Sequence, residues 1–200
     1  MPPAFPGPLP TAILGEALLA SPRGHLLLMR PPGEEHFRLP GAVVPDGARD
    51  WEATASAVRD ATGLRVTLLR LVAKDFLPPG TAAATPVSQH RPRSPRQDRR
   101  PAAAAARIHL VYNAGHVPEW AVPPGDSGPL PPQVRWVSRD DLDSWCAPRI
   151  AARIRAACWA AITGTFAELN HGCPIRRNDV PGAGCPACLR TFDPETTACT

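Results

Sequence analysis

A chain of 200 residues, 44% of them apolar, can bury one sizeable core, and its length favours a single domain with appendages. The formal charge of +4 equals that of residues 91–100, where Arg91, Arg93, Arg96, Arg99 and Arg100 face only Asp98; the remainder is neutral overall, which argues against nucleic acid as the main partner. No apolar run approaches the roughly 18 residues of a membrane span, and Met-Pro-Pro-Ala-Phe-Pro lacks both the basic region and the apolar core of a secretory signal, so a cytoplasmic protein without membrane contact is expected, its oligomeric state open.

Residues 1–10 read as a disordered arm. Ala-Ile-Leu-Gly-Glu-Ala-Leu-Leu-Ala and His-Leu-Leu-Leu-Met-Arg, separated by Ser-Pro-Arg-Gly within residues 11–30, predict a hairpin. Phe37-Arg38-Leu39 is a short extended piece, and Pro40-Gly41 turns into Ala42-Val43-Val44. A helix is expected from Asp50 as N-cap, with Trp51, Ala55, Val58 and Thr62 on one face and Gly63 as left-handed terminator. Arg65 to Phe76 reads as a strand and residues 107–113 as its partner. Residues 79–106 between them, rich in Pro, Ala, Ser, Gln and Arg, predict a disordered insertion, because they cannot bury enough apolar surface to offset the entropy of ordering. Val134 to Val137 is a strand, and Ser138 with Asp141 suggests a capping box. After Pro148 the longest helix should bury Ile150, Ile154, Cys158, Ala161 and Leu169. Trp51, Trp136 and Trp159 are expected in the core or in helix packing.

This order of elements resembles the Nudix family from about residue 11 to 169, with Leu39-Pro40-Gly41, Val44, Gly47, Ala53 and Thr62 as features that accompany that family's box. The box reads G-x5-E-x7-R-E-hydrophobic-x-E-E-x-G-hydrophobic. Anchored on Gly63, its first Gly falls on Ala42, its first Glu on Ala48, Arg-Glu on Ser56-Ala57, the hydrophobic position on Val58, Glu-Glu on Asp60-Ala61 and the close on Gly63-Leu64. Sliding the alignment to Arg59-Asp60 turns the pair by about 300° on a helix, so the slide is rejected. Positions that serve packing are kept, whereas those that hold metal are lost. Positions 57, 60 and 61 share a helix face, and there Asp60 is the one acid.

The resemblance implies an α+β fold, an α/β/α sandwich with a mixed sheet flanked by helices, and a nucleotide-like small-molecule ligand containing a pyrophosphate. It also implies Asp60 as catalytic and as a weak Mg²⁺ ligand, because Mg²⁺ can be held by one or two carboxylates plus substrate phosphates. Glu34, Glu35, Asp46, Glu52, Glu119 and Asp126 are substitute ligands among which spacing does not select. His36 and Arg38, just before the box, are placed as substrate-binding residues, and His109 alternates on a strand toward the same kind of role. Three activities stay open: an impaired hydrolase, a non-catalytic module using the pocket between sheet and box helix, and a metal-independent enzyme. In the Cys-containing tail, residues 170–200, Cys185-x2-Cys188 has zinc-knuckle spacing, with Cys173, Cys199 and His171 as further ligands for one Zn²⁺; a reduced tail with incidental thiols or a redox Cys-Pro-x-Cys pair are the other readings.

Overall fold

Alternation along the first apolar run sorts its side chains to two faces, and that division organises the fold. In a computed structural model, which describes residues 11–79, 105–122 and 133–175, this run is β1 (Thr11–Ala20). Leu18 joins one core cluster and Ala17 and Leu19 a second. The other strands are β2 (Leu26–Met29), β3 (Gly41–Val43), β4 (Arg70–Leu77), β5 (Ala106–His116), β6 (Val134–Val137), β7 (Ala167–Asn170) and β8 (Cys173–Pro174). They form one mixed sheet in the order β6-β2-β1-β5-β4-β7-β8, with β3 also paired to β1; β1 with β5 and β4 with β7 are the parallel pairs. The helices are α1 (Asp50–Thr62), α2 (Leu142–Trp145) and α3 (Pro148–Thr163). Thr54 and Val58 bring α1 to the Gly15 side of β1, and α3 covers the Leu18 side, which gives the expected α/β/α sandwich.

Helix α1 buries Thr54, Val58 and Thr62. Trp51 is instead 49% exposed, under the Arg49 guanidinium at 5.6 Å. Helix and sheet cross closely: a Cβ at Gly15 would collide with the Thr54 side chain, so a small side chain, not Trp51, lies beneath the helix there. Gly63 ends α1 in the left-handed region (φ 74°), as expected. The N-cap is Arg49 rather than Asp50; the Asp50 carboxylate accepts the Trp51 N–H at 2.9 Å, and burial, then the neighbouring Asp50 carboxylate, raises the Tyr112 pKa.

Pairing of the next segment starts at Leu69 N–H, which donates to Asn113 carbonyl at 2.8 Å. Before it, Leu64, Val66 and Leu68 pack on the second cluster without a ladder, so their alternation reports packing and not a strand. Ser138 accepts the Asp140 N–H at 3.3 Å to open a 3-10 turn, but the Asp141 side chain makes no capping bond. Helix α3 stops at Gly164 (φ 75°). Leu169 therefore lies on β7, where it is buried, and β7 with β8 crosses the boundary expected at 169/170. Trp159 is 68% exposed, unlike half-buried Trp136. The expected arm 1–10, most of the insertion (80–104) and residues 176–200 lie outside the described residues. Among the described residues no helix is long and apolar enough to cross a membrane.

Candidate functional site

Three neighbouring strands each place an ionisable residue on the face that α3 covers. The register sets Leu14 of β1 beside His109 of β5, and His109 beside Asp75 of β4, while Glu16 lies two residues along from Leu14 and shares its face. Glu16, Asp75 and His109 are all buried, as is Arg153 of α3. The Arg153 guanidinium bridges the two carboxylates: Nε lies 3.1 Å from Glu16 Oε2, one amino group donates to Glu16 Oε1 at 3.2 Å, and the other to Asp75 Oδ2 at 3.1 Å. The second Asp75 oxygen accepts the Gly172 N–H at 2.9 Å, and His109 Nδ1 stands 3.3 Å from Glu16 Oε1. Forked donors and paired acceptors are what a buried charge requires.

Burial alone would raise the Glu16 pKa, but the Arg153 cation, His109 and Arg38 outweigh it and hold the carboxyl at about 2. For His109, burial and then the Arg153 cation lower the pKa against the opposing pull of Glu16 and Asp75. The imidazole is therefore neutral at pH 7. Facing a carboxylate that can only accept, it carries its proton on Nδ1, an assignment inferred from this contact.

Above this network opens a cavity of about 320 Å³. The loop between β2 and β3 supplies Glu34, His36 and Arg38, β5 supplies Arg107 and His109, and α3 supplies Arg149. Arg38 lies 3.8 Å from Glu34, and its buried Nε has no hydrogen-bond partner; burial raises the Glu34 pKa against the pull of Arg38 and Arg107. The first turn of α3 also lines the cavity, and its N-cap Ala147 offers no side-chain cap. Arginine forks with a helix N-terminus make a setting for anions.

His36 and Arg38, the residues expected to bind substrate, both line this cavity. Asp60 does not join them: its side chain is 68% exposed on α1, 3.6 Å from Arg59, and it is absent from the cavity wall. Its neighbours on that face, Ala57 and Ala61, carry no donor. Glu34 and Glu35 line the cavity, Glu52 pairs with Arg49 at 3.2 Å, Glu119 pairs with His25 at 3.2 Å, and Asp126 lies outside the described residues. Among the described residues no three His, Cys, Asp or Glu side chains are placed to hold a metal ion. One exposed carboxylate beside an arginine does not fit a cation that must bridge a diphosphate. In the tail, Cys173 sits on β8 and is disulfide-bonded, a form in which sulfur is not a thiolate ligand; Cys185, Cys188 and Cys199 lie outside the described residues.

The pocket faces α3 and not the box helix, and sequence reasoning passed over Glu16, Asp75 and Arg153. A signal for Glu16 existed: it is the lone acid in an otherwise apolar strand, at the phase of Leu14 and Leu18, and so had to be buried and paired. The buried thiols of Cys146 and Cys158 are pushed up to about 11 by burial, which removes them as nucleophiles at neutral pH.

No family profile matches the chain, and no curated protein matches it in sequence. Solved structures match its fold. The MutT protein from Methanosarcina mazei Go1 has 16% identity and a TM-score of 0.50, over 78% of this chain and 96% of that one. A Nudix hydrolase from Nitrosomonas europaea has 12% identity and a TM-score of 0.52, over 80% and 77%. A UDP-X diphosphatase has 14% identity and a TM-score of 0.52, over 83% and 68%. At such identities the likeness is one of fold, and the fold is the Nudix fold.

Proposed function

We propose, with the Nudix fold as premise, that the chain binds a nucleoside diphosphate-linked compound or a related organic pyrophosphate in the cavity between the β2–β3 loop and α3, and that magnesium adds little to any turnover there. The observation that carries this reading is the cavity wall, where Arg38, Arg107 and Arg149 surround the neutral His109 and the buried Glu16–Arg153–Asp75 network. A concave site with convergent guanidinium donors suits a diphosphate, because planar forks match phosphate oxygens bidentately. The name of one structural neighbour, a UDP-X diphosphatase, agrees with that ligand class. On the magnesium side, Ala48, Ala57 and Ala61 stand where the resembled box carries acids, and cations that activate water depend on such placement.

The test is calorimetry with ADP-ribose and UDP-glucose as probes. Binding of one of them, weakened about tenfold by Arg38→Ala, is expected, since one charge-assisted hydrogen bond is worth about 1.5 kcal/mol or more. Absence of binding by both probes, or binding indifferent to both Arg38→Ala and Arg149→Ala, overturns the assignment of the cavity. Asp60→Ala should leave any hydrolysis unchanged with or without Mg²⁺, because Asp60 is exposed on α1 and absent from the cavity wall. A large magnesium-dependent rate that survives this substitution would place the metal site elsewhere.

A further inference from the structure

We infer that His109, oriented by Glu16, is the general base of this cavity and activates water for hydrolysis of a phosphoanhydride without a divalent cation. The inference rests on the cavity being a diphosphate site and adds a reaction to it. Its basis is geometric. His109 lines the cavity while its Nδ1 is shut away from solvent against Glu16 Oε1, at 3.3 Å. The contact falls short of hydrogen-bond geometry, but a carboxylate beside Nδ1 favours the proton there and so assigns the lone pair to Nε2, the nitrogen that a ligand or its attacking water would use. A carboxylate behind an imidazole orients the ring and stabilises the imidazolium formed when it takes a proton. Here that carboxylate is itself paired with Arg153, which donates to Glu16 Oε1 at 3.2 Å and brings Nε within 3.1 Å of Oε2.

In the reaction, Nε2 takes a proton from water as the water oxygen forms a bond to phosphorus. The bond from that phosphorus to the bridging oxygen breaks, and the bridging oxygen leaves with the electron pair as a terminal oxygen of the second product. The proton then passes from Nε2 to solvent. Arg38 and Arg107, which flank the cavity, meet the charge that develops on the phosphoryl oxygens, a role that preorganised cations fill in a water-poor site. Glu16 is a positioning residue. The groups facing His109 are Glu16 from β1, Asp75 from β4, Arg107 along β5 and Arg149 with Arg153 from α3. The loop adds Glu34, Glu35, His36 and Arg38 at the cavity rim.

The experiment uses the full chain with ADP-ribose in EDTA, in ¹⁸O-labelled water, with binding followed by calorimetry. Turnover without metal is expected, with label in a phosphate product and an acid limb below pH 6.5 as His109 protonates. His109→Gln should lower kcat by roughly 100-fold or more, the scale of general-base catalysis, abolish the acid limb, and leave KM and the calorimetric Kd within about threefold, a split that a purely structural role would not produce. Wild-type protein that binds ADP-ribose but gives no product in EDTA overturns the base and leaves the cavity standing, and this needs no variant to fold. Failure of both ADP-ribose and UDP-glucose to bind overturns both, and where UDP-glucose alone binds it takes the place of ADP-ribose. A wild-type rate in His109→Gln, or label appearing in ribose and not in phosphate, overturns the assigned reaction.

Discussion

Arg153 is the residue on which both the fold and the site turn. Its guanidinium is the cation that lies between two buried carboxylates, both within 3.1 Å. Arg153→Met would leave Glu16 and Asp75 buried with like charge and should cost about 3–5 kcal/mol, the range for breaking a buried pair by removing one partner. Urea denaturation measures this; a loss below about 1 kcal/mol would show that water or rearrangement replaces the cation. Arg153→Lys should not rescue it, because a single ammonium cannot present the fork that spans both carboxylates. None of these contacts joins residues near in sequence: Arg153 is separated from Glu16 by 137 positions and from Asp75 by 78. That is why the apolar run around Glu16 announced a strand, while its one acid kept its partner hidden.

At the scale of elements, α1 shows how a helix can be read correctly and its surface incorrectly. Its glycine terminator follows from local chemistry, since glycine tolerates φ 74° without strain, whereas its N-cap fell on Arg49, which makes no side-chain cap. Which side chain faces the sheet was decided by the crossing at Gly15, where Thr54 fits and a tryptophan would not. The exposed face of α1 carries Asp60 beside Ala57 and Ala61. Ala57→Glu with Ala61→Glu would bring three carboxylates onto that face and should raise Mg²⁺ or Mn²⁺ affinity by an order of magnitude or more, with a helix cost of only a few tenths of a kcal/mol. Isothermal titration of the cation against wild type measures it. Unchanged affinity would mean that the missing acids at positions 57 and 61 are not what departs from a magnesium site.

At the scale of the molecule, two buried titrating groups set the response to acid. The folded pKa of His109 lies below its ordinary 6.5, so from 6.5 downward to that folded value the unfolded chain binds a proton that the folded chain does not, and stability falls as pH falls. Glu16 is lowered from 4.5 to about 2; its contribution is present above 4.5 and is lost between 4.5 and about 2. Melting temperature should therefore decline in two stages from pH 7 to pH 3, and His109→Gln should erase the first. A flat profile down to pH 5 contradicts the burial of a neutral His109. Excision of residues 82–104 should shift the melting temperature by only a few degrees, because β4 and β5 pair from Leu77 with Arg107 and a shorter loop closes at lower entropic cost; loss of cooperative unfolding would show that the segment contributes to the core. Turn residues, alternation and the Gly63 stop let the sequence by itself determine the order of the elements up to α3, since these signals act over a few neighbours; the sandwich was implied by the resemblance of that order to the Nudix family, and β7 and β8 were not foreseen. The sequence also placed His36 and Arg38 in one short loop, from which both reach the cavity. Which face of the sheet holds that cavity, and that Glu16, Asp75, His109 and Arg153 meet beneath it, was decided by strand register and by the descent of α3. Contacts between distant positions follow from how faces pack, and that choice leaves no local mark in the chain.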